Sequence, residues 1–283
     1  MAEPAVQALA HAKINVFLRV VGRRADGYHD IESLVLPTSL ADRLLFRVTE
    51  QKGVQGSVTG RTPHIGRIDP DLVSDCVELL WKRREPRGGV EYELEKLIPV
   101  ASGLGGGSAD AAAALLALND LLRYGLDERE LMELGAELGS DVPALLLGGP
   151  AIMRGRGDVV EAANVAPTWW VLAPQDFPVS TPDAYRWWDE DGRTGPDPAP
   201  LLAAASEGRL DALAALSFND LEPVVAGRHP EVGEARKALR EAGALGAVMS
   251  GSGPTVAGLA RDEAHAREIA ERISGAIPVS APP

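Results

Sequence analysis

The densest chemical signal in the chain is one stretch, Pro99-Val100-Ala101-Ser102-Gly103-Leu104-Gly105-Gly106-Gly107-Ser108-Ala109. Its four glycines let the backbone take up otherwise strained conformations and approach a ligand closely, with amide N–H groups free to face it. The run that follows, Asp110 to Asn119, is dominated by strong helix formers and predicts a helix to about Arg123. Its N-terminal amides and dipole would point back at an anion held by the glycines. The combination reads as a phosphate cradle. A flexible linker would not carry Pro99 and Leu104 and then run straight into a long helix. No Gly-Lys pair occurs in the chain, so the loop is not a P-loop. The dinucleotide fingerprint fits poorly too, because Ser108 stands where the third glycine belongs.

Other residues of chemical interest depend on the elements that carry them. From Ala12 to Val20 the chain alternates, with Ile14, Val16, Leu18 and Val20 on one face and Lys13, Asn15, Phe17 and Arg19 on the other. This predicts a half-buried strand that points Lys13 and Asn15 the same way; a solvated edge is the plainer reading of both. Asp26-Gly27 marks a tight turn that projects Tyr28 and His29. Further strands are expected at 34–36 and 44–48, and 53–68 reads as a loop or weak hairpin. Then come a helix at 71–84, a strand at 90–98, the glycine loop with its helix, and another helix at 127–138. Ser140-Asp141-Val142-Pro143 resembles a helix start with Asp141 as cap.

Gly148-Gly149-Pro150 breaks the pattern, and the lobe boundary is expected there, giving lobes 1–150 and 151–283. The second lobe shows strands at 169–173 and 247–249, helices over 201–216 and 230–242, and an exposed Pro/Gly/Asp-rich segment from 189 to 200. It ends in a strand at 255–259, a helix at 263–273 and a strand-like tail. Gly251-Ser252-Gly253 forms a second glycine-rich turn between two of these strands, on local grounds a hairpin turn or a segment that closes over a ligand.

Four segments match one family in chain order: Ala10-His11-Ala12-Lys13-Ile14-Asn15 with Asp26-Gly27-Tyr28-His29, the Pro99–Ala109 loop, Leu138-Gly139-Ser140-Asp141-Val142-Pro143, and Ser250-Gly251-Ser252-Gly253-Pro254. The chain resembles the GHMP kinases, and its first segment is particular to the subfamily that acts on a cytidine diphosphate-linked methylerythritol. The resemblance implies an α+β, two-lobed GHMP kinase fold, with a ribosomal protein S5 domain 2-like N-terminal lobe and a ferredoxin-like C-terminal lobe. It implies ATP-dependent phosphorylation of the acceptor's 2-hydroxyl, a step of non-mevalonate isoprenoid biosynthesis, with ATP on Pro99–Ala109 and Mg2+ near Ser108. Kinase chemistry also needs a group that orients or deprotonates the acceptor. Asp141 is the candidate, a rigidly held carboxylate suited to orientation. By the same resemblance Lys13 pairs with Asp141 and the hydroxyl, and Asn15 adds a polar contact. Tyr28, His29 and Tyr185 would bind the cytosine, Thr181 would lie near it, and Gly251, Ser252 and Gly253 would close over phosphates or substrate. Trp187 and Trp188 compete with Tyr185 for the stacking role, with packing the plainer reading of both, and Asn219 and Asp220 are read as structural. The rival readings are a homoserine- or mevalonate-type kinase and a nucleotide-binding protein without catalysis; a dinucleotide-dependent oxidoreductase is more distant.

Bulk properties agree with a small-molecule enzyme. A chain of 283 residues with 45% hydrophobic content can bury a sizeable core. Its net charge of −13 argues against nucleic acid or an anionic membrane as partner, which need basic patches. The single Cys76 allows no internal disulfide and fits a reducing compartment. With no secretory pattern at the N-terminus and no long apolar run, a cytoplasmic monomer or homodimer is expected. The five histidines show no metal-binding spacing, so no zinc is expected.

Overall fold

The computed structural model describes residues 5–60 and 72–282. In chain order the elements are β1 (Ala5–Arg23), β2 (His29–Thr49), β3 (Val54–Gly60), α1 (Leu72–Arg83), β4 (Gly89–Lys96), α2 (Gly106–Leu121), α3 (Glu128–Leu138), α4 (Val142–Leu146), β5 (Ala151–Gly155), β6 (Val159–Ala162) and β7 (Thr168–Ala173). They continue with α5 (Thr181–Asp191), α6 (Ala199–Ser206), α7 (Leu210–Leu216), β8 (Phe218–Asn219), α8 (Glu222–Ala226), α9 (Pro230–Glu241), β9 (Gly246–Met249), β10 (Val256–Ala260), α10 (Glu263–Glu271) and β11 (Ile277–Ala281).

Contacts divide the chain into two compact units that interleave. The first takes the described residues up to Ala12, of Leu40–Val100 and of Gly106–Leu146; the second takes Lys13–Ser39, Ala101–Gly105 and the chain from Leu147. The expected division at 1–150 and 151–283 is a single cut, whereas the units change over five times, because the long strands β1 and β2 each pass from one to the other.

In the first unit β3 runs parallel to β4, and β4 runs antiparallel to the Arg43–Thr49 half of β2. Leu44, Phe46, Tyr92, Leu80, Ile98 and Leu115 are fully or almost fully buried there. Helix α1 packs on α2, and α3 and α4 pack on each other and on α2. Asp127 caps α3 reciprocally with Glu130, which fixes the start of that helix. Cys76 lies buried in α1, and burial raises its thiol, as suits an unreactive core residue.

In the second unit four antiparallel strands lie in the order β11-β7-β10-β9. Numbered along the chain this is 4-1-3-2, with helices in the two crossovers, the ferredoxin-like arrangement expected of the C-terminal lobe. Its core joins Val171, Ala247, Met249 and Val256 of the strands to Val232 and Leu239 of α9 and to Ala266 and Ile269 of α10. The same unit holds the Ile31–Val35 part of β2 paired with β5, and β8 lying parallel to β1 at Phe17–Leu18.

Several local expectations change. β1 is buried on both faces across Ala12–Leu18, so Lys13, Asn15 and Phe17 are covered rather than half-exposed. The two short strands expected near 34 and 44 are one strand of 21 residues, since the Pro37-Thr38-Ser39 interruption of the apolar pattern stays extended. Part of the expected loop is β3, and 61–68 lie outside the described residues. The single helix expected over 201–216 breaks into α6 and α7, because Gly208 takes φ +66 between them. The segment from 189 to 200 is largely exposed as expected, with the end of α5 and the start of α6 taking its first three and last two residues.

Candidate functional site

Two glycine turns and the middle of β1, from Lys13 on, meet in the second unit. Over residues 101–105 the positive φ values fall on alternate residues, Ala101 (52), Gly103 (81) and Gly105 (69). Such alternation turns successive N–H groups toward one concave side, the geometry of an anion nest. The loop is pinned by backbone bonds: Lys13 N donates to Leu104 O at 2.9 Å, and Thr255 N to Ser102 O at 3.1 Å. A side chain on Gly103 would begin 2.2 Å from the Ser250 carbonyl, so this close approach requires glycine.

Lys13 extends its side chain along this seam. Its Nζ donates to Asn15 Oδ1 at 2.6 Å, and Asn15 Nδ2 donates to Ser33 Oγ at 2.8 Å. Ser33 in turn donates to the Phe17 carbonyl at 2.5 Å. From the second turn, Ser250 Oγ accepts from Asn15 N at 3.2 Å and donates to Gly103 O at 3.0 Å. Gly251 has φ +58, and a Cβ there would lie 2.9 Å from Lys13 Nζ. Asn219 holds this turn, its amide donating to the carbonyls of Met249 and Gly251 at 2.7 Å each. Glu222 Oε2 accepts from Met249 N at 2.8 Å and Oε1 pairs with Arg236; burial nevertheless raises this carboxyl. Asp220 accepts from Val20 N and Gly195 N, and burial raises it as well. Asn219 thus shapes the turn beside Lys13, whereas Asp220 ties β1 at Val20 to Gly195.

A second cluster of the same unit forms around His29. Tyr28 is 55% exposed, as the turn predicts, but His29 is buried, which corrects the expectation that both project. The His29 ring stacks on Tyr185 with centroids 4.8 Å apart, and its Nε2 lies 2.7 Å from Asp189 Oδ1. A neutral imidazole that donates from Nε2 keeps Nδ1 as an acceptor. Trp188 meets His29 edge-on at 5.8 Å, and Arg23 pairs with Asp189 at 3.3 Å. Tyr28 has its own partner in the Arg156 guanidinium, 5.1 Å from the ring centre. Trp187 packs against His229 and under Arg228, in keeping with a packing role. Thr181, the first residue of α5, and Ser252 share a hydrogen bond of 2.8 Å. Asp189 escaped the sequence reading, although Tyr185 and Asp189 stand four apart, the spacing of one helix face.

The first unit carries the rest of the glycine loop. Gly106, Gly107, Ser108 and Ala109 open the 16-residue α2, while Pro99 and Val100 precede the loop proper. A Cβ on Gly139 would sit 3.6 Å from Ser108 Oγ. Asp141 lies just before α4, and its carbonyl accepts from Leu145 N at 3.3 Å, so it does stand at a helix start. Behind the loop, buried Lys96 pairs with Asp42 and with Asp110, the latter at 2.5 Å. No sequence signal joined these three. Burial pushes the Asp110 carboxyl up to about 7, and its Oδ1 has no hydrogen-bond partner among the described residues. Among the described residues no group of three His, Cys, Asp or Glu could hold a metal ion, and no helix is long and apolar enough to cross a membrane.

Residues 71–149 match the GHMP kinases N terminal domain and residues 201–278 the GHMP kinases C terminal domain. The chain is similar to the 4-diphosphocytidyl-2-C-methyl-D-erythritol kinase of Pelotomaculum thermopropionicum, 45% identical over 94% of this chain and 93% of that relative. Its counterpart from Symbiobacterium thermophilum is 42% identical over 93% of each. Among solved structures, a 4-(cytidine 5'-diphospho)-2C-methyl-D-erythritol kinase superposes with a TM-score of 0.82 at 36% identity, covering 98% of this chain and 99% of that one. The homoserine kinase of Cytophaga hutchinsonii shares the fold, with a TM-score of 0.76 at 21% identity over 99% and 95% of the two chains.

Proposed function

We propose, from the premise that this chain belongs to the 4-diphosphocytidyl-2-C-methyl-D-erythritol kinase family of the GHMP kinases, that it phosphorylates the 2-hydroxyl of that cytidine compound with ATP. The observation that carries the reading is the buried Lys13–Asn15 pair set against two glycine turns, one of them with the alternating φ of an anion nest. Residues Pro99 to Ala109 hold the ATP phosphates. The loop amides and the N-terminus of α2 supply fixed positive ends that need no reorganisation as charge moves onto the transferred group.

Lys13 and Asp141 act on the acceptor hydroxyl, Lys13 countering charge and Asp141 orienting the oxygen or taking its proton. The loose character of phosphoryl transfer asks more for orientation than for a strong base. Asn15 supports Lys13 and contacts the substrate. Tyr28, His29 and Tyr185 recognise the cytosine: the rings offer stacking surfaces, and the Asp189 contact holds the His29 ring in place. Thr181 and Ser252, already hydrogen-bonded to each other, flank the substrate with Gly251 and Gly253.

Mg2+ accompanies the nucleotide. The residues fit it, because Mg2+ keeps several waters and takes one or two protein ligands with the phosphates rather than a protein cage. The Ser108 hydroxyl at the head of α2 is the group that would hold it, and when bound the ion neutralises triphosphate charge. The protein works in the cytoplasm as a monomer or homodimer, without nucleic acid, as its single cysteine and net charge of −13 support.

Release of ADP with Mg-ATP against a panel of acceptors tests this. Turnover is expected with the cytidine compound and is expected to be largely lost for its uridine analogue, homoserine and mevalonate. Equal turnover on homoserine or mevalonate would remove Tyr28, His29 and Tyr185 from the acceptor site, and ATP binding without any turnover would point to a protein that has lost catalysis.

A further inference from the structure

We propose that Asp42 is a positioning residue for the phosphate loop, a buried clamp that ties the entry and the exit of the loop to one carboxylate. Asp42 is fully buried in β2. Its Oδ1 accepts from Leu97 N at 2.5 Å and from Ile98 N at 2.8 Å, the two amides that follow the end of β4 and lead into Pro99. Its Oδ2 takes the Lys96 ammonium, which reaches on to Asp110 Oδ2 in the first turns of α2. Gly106, the first residue of α2, lies against the same group: a Cβ there would be 3.1 Å from Ile98 Cγ2 and 3.4 Å from Lys96 Nζ.

Two carboxylates and one ammonium with almost no exposure form a costly arrangement that apolar side chains of similar volume would match or better for stability. What the cluster supplies is geometry. Two neighbouring amides on one carboxylate end the β4 ladder at Lys96 and aim the chain into the loop, and the bridge through Lys96 sets where α2 begins. Fixing both ends of a glycine-rich segment removes most of the conformations its glycines would otherwise sample, so the nest is formed before a ligand arrives.

The proposal rests on the reading that Pro99 to Ala109 hold the ATP phosphates, and the test separates the two. ATP binding without acceptor and acceptor binding without ATP are measured by calorimetry for wild type, Asp42→Asn and Gly105→Val. Amide hydrogen exchange at Leu97 and Ile98 is followed in parallel. Asp42→Asn is expected to weaken ATP binding about tenfold or more, with acceptor affinity changed less than about twofold and faster exchange at both amides. Where Asp42→Asn does not fold, Lys96→Gln cuts the other arm of the clamp and is held to the same split. Unchanged ATP affinity in the clamp variant overturns the clamp, as does equal weakening of ATP and acceptor, which is what a general structural role would give. If Gly105→Val binds ATP normally, the phosphate-loop reading itself fails and the clamp with it; if it loses ATP while the clamp variant keeps it, only the clamp fails.

Discussion

Lys13 is buried and donates to the Asn15 amide oxygen, and Asn15, Ser33 and Ser250 form a chain of partners that holds it there. A charge held this way is aimed, so Lys13→Met, similar in length and uncharged, is expected to lower kcat by about 10²- to 10⁴-fold. ATP affinity should stay within about threefold in that variant, since the phosphate nest is backbone. Steady-state kinetics with parallel ATP titration decides it, and a loss confined to ATP affinity would move Lys13 from the acceptor to the nucleotide. Asp110 makes a prediction in pH. Burial pushes its carboxyl up to about 7, with Lys96 opposing and the Asp42 charge adding to the rise. A raised carboxyl keeps its proton longer in the folded chain than in the unfolded one. Its contribution to stability is therefore full below the ordinary value of 3.8 and is lost as pH rises through about 7. Asp110→Asn does not titrate, so its stability relative to wild type should rise between about pH 4 and about pH 7 in urea unfolding and level off above; a constant difference would refute the assignment. Alternation along β1 was enough to put Lys13 and Asn15 on one face. It could not say that Ser33 and Ser250 cover that face, or that Asp42, Lys96 and Asp110 meet, because nothing local marks partners 54 or 14 residues apart.

At the level of elements, the two glycine turns serve as parts of one seam, and their glycines differ from those of ordinary turns. Gly103→Ala meets both a φ of +81 and the Ser250 carbonyl at 2.2 Å. It should cost roughly 3 kcal/mol or more. Gly148→Ala has a φ of +67 with nothing within 4 Å, so only the backbone penalty applies. That is about 1 to 2 kcal/mol. Urea unfolding of both compares crowding with strain directly, and equal losses would mean that the seam relaxes around a methyl group. Removing the amide of Asn219 strands the carbonyls of Met249 and Gly251. Asn219→Ala is therefore expected to cost about 1 to 3 kcal/mol and to reduce turnover with it. Most elements could be read from pattern and composition: the alternating β1, the alanine-rich α2, and α3 with its Asp127–Glu130 box. α5 was missed even though Ser180-Thr181-Pro182 is a helix-start signature, because the tryptophans and acidic residues after it show no clean apolar stripe. Gly208 was the signal that 201–216 is two helices, and composition alone hid it among alanines.

For the molecule as a whole, the interleaved units mean that a cut in sequence is not a cut in structure. Glycine and proline at 148–150 mark a real change of element, and the ferredoxin-like pattern after it could be anticipated. The partners that strands 13–39 give to that part could not, since they come from far upstream. A fragment beginning at 151 would lack the β1 partner of β8, the Val20 amide bonded to Asp220, and the Asn15 amide bonded to Ser250. Expressed alone it is expected to show no cooperative unfolding transition by circular dichroism; a sharp transition would mean that the single cut is the true boundary. The bond between Asn15 and Ser250 joins residues 235 apart. At the usual 5–20 residues per second, roughly ten to fifty seconds of synthesis separate the two. The glycine loop leaves the ribosome early, but the seam around Lys13 has to wait for Ser250 and Gly251. A chain released before residue 250 therefore carries its glycine loop without the Ser250 and Thr255 bonds that pin it, and Lys13 without the turn beside it, so both parts of the seam are completed by the same late segment.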